Sequence, residues 1–296
     1  MRLMFLVFFA ITVHISMCFE TFALPLSEIS LSSKVIPQGG ICLISIRSDG
    51  DVSPDVDWLD GKVYLARSTD KHFFQGFIAV DLTQEPGMYK LTVKTPSGDY
   101  ERFFDIEVVV KDYGERRLTL PDKQVDLADE TWKRVQQEML VVRELWEAPV
   151  SMPQWTLPFQ IPVQGEVVGP FGRKSFINDQ PRSPHTGVDL RGALGTDVEA
   201  VNHGVVVMTA DHFFTGNSIV INHGGEVYSM YFHLDAIHVK KGDHVSKGQV
   251  IGLVGSTGRA TGPHLHWGMR IKNSRIDPLM LVELGKEYEG NDPEKF

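Results

Sequence analysis

Cysteine is scarce in this chain: two in 296 residues, Cys18 and Cys42. That count excludes a disulfide framework. Cys42 sits in the alternating run ICLISIR, where a lone cysteine reads as a small buried hydrophobe. No histidine or helix start lies near it to lower its pKa, so a catalytic thiol is set aside. Excess positive charge is also missing. A formal charge of −9 argues against a general basic field for nucleic acid or an anionic membrane surface. Two ligand-binding signatures are absent as well. GSTGRATG has no GK[ST] ending and leads into a strand pattern, which argues against a phosphate loop. The aspartates between Asp51 and Asp60 lack the EF-hand spacing, so a solvated turn is expected there.

Long apolar runs are lacking too. The N-terminal run Met4 to Val13 is far short of the roughly 20 residues that span a bilayer, so a cleaved secretory signal fits better than an anchor. Thr21 and Ala23 put small residues at the −3 and −1 positions of a cut before Leu24, giving a signal peptide over 1–23. A rival reading makes Ile15-Ser16-Met17-Cys18 a lipobox with Cys18 lipidated, although Met17 is bulkier than the small residue expected there. Either way the protein is expected to be exported, to the periplasm or cell envelope, with no transmembrane span in the mature chain.

What the sequence does contain is β pattern. Over 24–114, the runs ICLISIRS, KVYLARS, FFQGFIAVDL, GMYKLTVKT and ERFFDIEVVV alternate with PQGG, EPG and PSGD turns, which indicates an Ig-like β-sandwich. The period changes over 115–160. Trp132, Val135, Met139, Val142 and Trp146 recur at three- and four-residue steps, with Asp129 as N-cap and Pro149 as stop, predicting one connecting amphipathic helix. Pro153, Pro158 and Pro162 then mark an extended linker. Over 161–285 the runs EVVGPFG, GVVVMTAD, SIVINHG, VYSMYFHL, HVSKGQVIGLVG and HLHWGMRI imply a compact antiparallel β domain without a helix, followed by a tail over 286–296.

Nine of the eleven histidines fall between His185 and His266. If HLHW is extended, His264 and His266 share one face and Leu265 and Trp267 the other. Two imidazoles on one surface suggest a metal ligand and an acid/base group side by side, and spacing alone leaves open which is which. SPHTGVDLRG supplies His185 and Asp189, and YSMYFHLD supplies His233. Two histidines and one carboxylate recur in catalytic zinc sites that leave a fourth position to water. His203, His212, His223, His238 and His244 sit near turns and read as surface or supporting groups.

SPHTGVDLRG, YFHLD, KKGDHVSKGQVIGLVGSTGRATGPHLHWG and GPFGRK together resemble the lysostaphin/LytM-type zinc metallopeptidases, which are peptidoglycan endopeptidases. The similarity runs over roughly 161–284. It implies one Zn2+ per chain on His185, Asp189 and His266, with His264 and His233 as the catalytic histidines, and peptidoglycan peptides as substrate. None of the substitutions of the family's degenerate members is seen, which implies catalytic competence. The upstream β module is similar to one preceding this domain in exported members, and it implies a binding, spacing or regulatory role. Two other readings stand beside this: a non-catalytic peptidoglycan binder or hydrolase activator on the same fold, and a biotinyl/lipoyl-like carrier suggested by GDHVSKGQVIGLVG, which lacks the lysine-bearing turn.

Overall fold

The computed structural model describes residues 28–47, 52–59, 61–68, 73–95, 97–119 and 128–289. Met4 to Val13, the cut before Leu24, and Cys18 lie outside them. Among the described residues the N-terminal half holds nine strands: β1 (Ile29–Leu31), β2 (Val35–Pro37), β3 (Ile41–Arg47), β4 (Asp55–Trp58), β5 (Gly61–Val63), β6 (Ala66–Arg67), β7 (Phe73–Ala79), β8 (Gly87–Lys94) and β9 (Glu101–Val109). They form two sheets, β1-β3-β7-β6 and β2-β9-β8-β4-β5. Between them lies an apolar layer that includes Cys42, Ile44 and Ile46 from β3 and Leu91, Ile106 and Val108 from β8 and β9. Cys42 is fully buried, and burial pushes its thiol pKa up, which fits the inert reading. The expectation of a solvated turn over Asp51 to Asp60 is corrected: Asp55–Trp58 is a strand, with Val56 and Trp58 buried and the indole Nε1 donating to the Ala79 carbonyl at 2.8 Å.

Strands β3 and β7 are buried on both faces, and this changes the domain picture. Period-two geometry sends Cys42, Ile44, Phe74 and Ile78 into the sandwich layer, and Ile41, Leu43, Phe77 and Ala79 to the other side. That second face joins the core of the C-terminal half. The stretch expected to be an extended linker supplies the contact. Residues 147–166 have no helix or strand, yet Trp155, Phe159 and Val163 are buried, and the Trp155 ring lies 4.6 Å from that of Phe77. The prolines keep the backbone extended, but the apolar residues between them have nowhere drier to go. No gap in the core therefore separates the two halves at Pro153 to Pro162.

Polar contacts pin the same interface. The Arg275 guanidinium donates to Asp81 at 2.7 and 3.0 Å, and the Arg275 backbone N–H at 2.8 Å. Tyr113 Oη donates to the Gln38 carbonyl at 2.7 Å, and the Asp277 N–H to the Gly39 carbonyl at 2.8 Å. Gly39 has φ +72°, and a Cβ there would meet the Phe171 ring at 2.5 Å, so the PQGG turn needs glycine for both conformation and close approach.

The predicted helix is α1 (Asp129–Trp146). Ala128 occupies its N-cap with no side-chain capping bond, so Asp129 falls one residue inside the helix rather than at the cap. Val142, Leu145 and Trp146 pack on Met208, Val220 and Tyr228, and the Glu138 carboxylate accepts from the Phe213 N–H at 3.0 Å. Ahead of α1, residues expected to belong only to a helix and linker include β10 (Glu115–Leu118).

The C-terminal half contains β11 (Val167–Gly169), β12 (Lys174–Ile177), β13 (Gln180–Arg182), β14 (Val188–Arg191), β15 (Asp197–Glu199), β16 (Gly204–His212), β17 (Gly216–Asn222), β18 (Val227–Ile237), β19 (His244–Val245), β20 (Val250–Val254), β21 (His264–Ile271) and β22 (Ser274–Ile276). Its ten-stranded sheet has the central path β11-β14-β21-β18-β17-β16-β19, all antiparallel. Strand β10 pairs in parallel with β12, which pairs with β13. A helix does occur here, contrary to expectation: α2 (Pro278–Glu289) buries Leu281 and Val282 and runs into the residues expected to be tail. Pro278 takes the first helical position, and Asp277 Oδ1 accepts from the Leu279 N–H at 3.1 Å, an N-cap bond. Its short apolar run has too few turns for periodicity to separate helix from strand. No helix among the described residues is long and apolar enough to cross a membrane.

Candidate metal centre

Three neighbouring strands build the site by register. Asp189 on β14 is opposite His266 on β21, and His266 is opposite Phe232 on β18. Side chains in one cross-strand row point to the same face. Leu265, Trp267 and Met269 enter the core, so His264 and His266 are left on the other face, as the alternation requires. His185 arrives from the loop before β14. Its N–H donates to the Arg173 carbonyl at 3.1 Å, and its carbonyl accepts from the Gly172 N–H at 2.8 Å.

The donor atoms converge. His185 Nε2 is 3.1 Å from Asp189 Oδ1 and 3.0 Å from His266 Nδ1, and His266 Nδ1 is 2.9 Å from Asp189 Oδ1. One atom from each of the three residues lies within 4.8 Å of the others, a group that could hold a metal ion. Their side chains keep 23%, 24% and 12% exposure for His185, Asp189 and His266, so the group is recessed yet open on one side. Gly187 makes room for it, since a Cβ there would meet His266 Nε2 at 2.6 Å. Backbone carbonyls only accept, which fixes the tautomers. His185 Nδ1 donates to Pro170 at 2.9 Å, leaving Nε2 as a lone pair aimed at the group.

Burial disfavours charge on all of these residues, and their mutual contacts decide the outcome. Burial alone would raise the Asp189 pKa, but the His185 and His266 imidazoles beside it hold it well below the usual carboxylate range. Burial works against a charged His185 as well, and the Asp189 carboxylate outweighs it and raises that pKa. For His266 burial wins and the pKa falls.

His264 and His233 flank the group. His264 Nδ1 donates to the Gly262 carbonyl at 2.8 Å, and its Nε2 lies 3.8 Å from Asp189 Oδ1. His233 Nδ1 donates to the Thr257 carbonyl at 2.9 Å, and its ring centroid is 4.9 Å from that of His264. Strict alternation would send Phe232 and His233 to opposite faces. His233 instead takes φ +64°, beside a register shift in the β17–β18 pairing, so both rings reach the site. A left-handed φ at a non-glycine residue costs on the order of 1–3 kcal/mol, a strain characteristic of functional positions.

All five residues named from the sequence are therefore neighbours in space. The sequence reading missed Phe232, whose ring stacks on His266 at 5.3 Å and 5°, and the carbonyls of Pro170, Thr257 and Gly262 that orient the imidazoles. GPFGRK and GSTGRATG contain all three of these carbonyls, but no side-chain pattern encodes a carbonyl's direction. His223 is corrected from a turn residue to a core one. It is fully buried, with Nδ1 2.7 Å from the His203 carbonyl and Nε2 2.7 Å from Ser229 Oγ, and burial pushes its pKa down to about 4.

A mainly β fold thus carries a His–Asp–His group, partly open to solvent, that could hold a metal ion. Residues 183–278 match the model of peptidase family M23, and this part of the chain is a domain of that family. It is 46% identical over 97 residues to the peptidoglycan DD-endopeptidase ShyA of Vibrio cholerae, covering 33% of this chain and 23% of that protein. It is 38% identical over 120 residues to the DD-carboxypeptidase/endopeptidase Mpg of Neisseria meningitidis, covering 40% and 28%. The chain thus spans about a quarter of the length of the curated relatives it matches. Among solved structures, a candidate peptidase M23 from Pseudomonas aeruginosa superposes with a TM-score of 0.67 at 28% identity, covering 86% of this chain and 97% of that one. That match extends through both halves of the fold.

Proposed function

We propose that the protein is an exported zinc metalloendopeptidase that hydrolyses peptide cross-links of bacterial peptidoglycan in the periplasm or cell envelope. The observation that carries this reading is the convergence of His185 Nε2, Asp189 Oδ1 and His266 Nδ1, flanked by two further imidazoles with fixed tautomers. Two imidazoles and one carboxylate fit zinc, which takes nitrogen and oxygen donors in tetrahedral sites and keeps one position open in catalysis. Zinc held there would supply Lewis acidity, polarising an amide carbonyl and making water nucleophilic at neutral pH.

The chain's own residues divide the remaining work. His264 donates its Nδ1–H to Gly262, so Nε2 is free to take the proton of the attacking water and return it to the leaving amine, work worth about 10²–10⁴-fold. His233 donates its Nδ1–H to Thr257, so its Nε2 is an acceptor and holds the water by one of its protons. Oxyanion donation from a neutral His233 is disfavoured by the same tautomer. Phe232 keeps the His266 ring flat against a fixed surface.

The assignment inside HLHW is the test. His266→Ala should lose both zinc and hydrolysis of purified wall peptides. His264→Ala should keep near-stoichiometric zinc while turnover falls about 10²-fold or more. Zinc lost from His264→Ala but kept by His266→Ala would reverse the two roles. Full zinc with no hydrolysis by the unaltered protein would favour the non-catalytic binder or activator.

A further inference from the structure

Asp189 and His266 are fixed by sheet register, but His185 belongs to no strand, so something else must hold it. The turn 170–173 does so with three hydrogen bonds. The Pro170 carbonyl accepts from His185 Nδ1 at 2.9 Å, the Gly172 N–H donates to the His185 carbonyl at 2.8 Å, and the Arg173 carbonyl accepts from the His185 N–H at 3.1 Å. The same turn leaves β11 beside a second member of the group. Gly169 is opposite Asp189, and a Cβ on Gly169 would run into the Asp189 carboxylate. A displacement of this turn would therefore move the His185 ring and crowd Asp189 together.

What holds the turn comes from the other half of the chain. Phe171 is fully buried, and the Tyr113 ring stands edge-on to it, with centroids 5.4 Å apart and planes at 80°. Tyr113 also lies so close over Gly172 that a Cβ there would enter its ring. The tyrosine is anchored in turn. Its Oη donates to the Gln38 carbonyl at 2.7 Å, and the next residue, Gly39, brings its backbone against the edge of the Phe171 ring. Beyond the turn, the Lys174 N–H donates to the Gly114 carbonyl at 3.0 Å, where the parallel pairing of β10 with β12 begins. An unbroken line of contacts thus runs from Gln38 through Tyr113, Phe171 and Gly172 to His185.

We propose that Tyr113 is a positioning residue for the metal centre: anchored on Gln38 of the N-terminal half, its ring seats the turn 170–173 and through that turn fixes the His185 imidazole. The proposal rests on the zinc-binding part of the peptidase reading and deepens it. Groups that orient a metal-binding histidine set its affinity as much as the histidine itself does, because a ring free to turn must be ordered when the ion binds. Close packing makes the wedge stiff, since the Tyr113 ring has Phe171 on one side and Gly172 on another. Metal affinity is thereby coupled to the docking of the N-terminal half. The coupling is reciprocal: an ion held by His185 also tightens the seat of Tyr113.

The test compares the full chain with Tyr113→Leu, Tyr113→Phe and Asp81→Asn, the last loosening the same interface away from the turn. Zinc affinity is read by competition with a chelator, stability by the urea midpoint, and the His185 ring by the nuclear magnetic resonance signal of its Nδ1–H, which the bond to Pro170 protects from exchange. We expect Tyr113→Leu to weaken zinc by about 10- to 100-fold, the range for losing a group that orients a metal-binding histidine, and to lose the Nδ1–H signal. Tyr113→Phe, which keeps the wedge, should restore both. Asp81→Asn should lower the urea midpoint and leave zinc affinity and the signal as they are. Added zinc should raise the midpoint of the unaltered protein more than that of Tyr113→Leu. Unchanged zinc affinity and signal in Tyr113→Leu overturn the proposal, and so does an equal loss of zinc in Asp81→Asn, which general loosening would explain. Should Tyr113→Leu fail to fold, Gly39→Ala makes the same test from the N-terminal half, since its Cβ would meet the Phe171 ring at 2.5 Å. If the unaltered protein binds no zinc, the peptidase reading falls, and the Nδ1–H signal still decides whether Tyr113 positions His185.

Discussion

Strands β7 and β21 each lie inside a sheet and are rich in apolar residues, yet only one carries chemistry. Every residue of β7 is buried, its two faces feeding two different cores. In β21, Leu265, Trp267 and Met269 fill one core, while His264 and His266 stand partly exposed on the other face. The difference lies in what covers the second face. On β7 it is the strap of Trp155 and Phe159, whereas the site face of β21 stays partly exposed, with the Phe232 ring stacked on His266. A strand becomes a site when its second face stays partly open to solvent and its rings are oriented by polar partners, a backbone carbonyl for His264 and a carboxylate for His266.

The contrast can be broken hardest at Phe77, whose ring meets Trp155 and Phe159 at 4.6 and 6.1 Å. Phe77→Ala should cost about 3–5 kcal/mol, the usual range for emptying a packed aromatic site. Because the lost contacts span both halves, the urea midpoint for both should fall together. His264→Ala, on the open face, should leave that midpoint where it is while removing turnover. If Phe77→Ala leaves the midpoint unchanged, the two-sided burial of β7 contributes little.

A second, smaller effect separates the buried histidine from the site histidines. His223 is held neutral, its pKa pushed down to about 4 by burial. An unfolded histidine titrates near 6.5, so the unfolded chain binds more protons between those values. The stability that His223 contributes is complete above about pH 6.5 and is lost as pH falls toward 4, on the order of 3 kcal/mol in all. His223→Gln keeps hydrogen-bonding capacity without titrating. It should reduce the proton uptake linked to unfolding by about one over that window, measured by denaturation at a series of pH values. An unchanged slope would mean that His223 is protonated in the folded chain.

The sequence revealed these regions unequally, for reasons of physics. The site was legible because period-two alternation and the HxxxD spacing are local, and register then had only one way to bring Asp189 against His266. The β character of both halves and the span of α1 were legible from periodicity. The second face of β7 was not, because apolar alternation does not say what lies beyond it. Trp155 and Phe159 were read as linker because prolines signal extended backbone and say nothing about burial. Strand β10 was missed because ERRL has no apolar alternation and is held by pairing with a strand some 60 residues away. Short α2 was missed for want of turns.

The smallest effect probes whether the two halves unfold as one. Asp81 follows β7 and takes three hydrogen bonds from Arg275, which follows β21 by way of β22. With side-chain exposures of 17% and 30%, the pair is mostly withdrawn from water. Burial alone would raise the Asp81 pKa, but donation from Arg275 and Thr83 holds it well below the usual carboxylate range. The sign follows: the pair's stabilisation is present above the unfolded value of about 3.9 and is lost as pH falls below it. Asp81→Asn keeps the shape but leaves the Arg275 guanidinium without its counter-charge, at a cost of about 1–3 kcal/mol. Arg275→Gln on the same background should recover part of that, because the orphaned charge is then gone. If the shared core couples the halves, Asp81→Asn lowers the urea midpoint of a single transition with its slope unchanged. Should the N-terminal sandwich instead melt in a separate, earlier step, the interface is a docking contact between two independent cores, and the continuity argued from β7 fails.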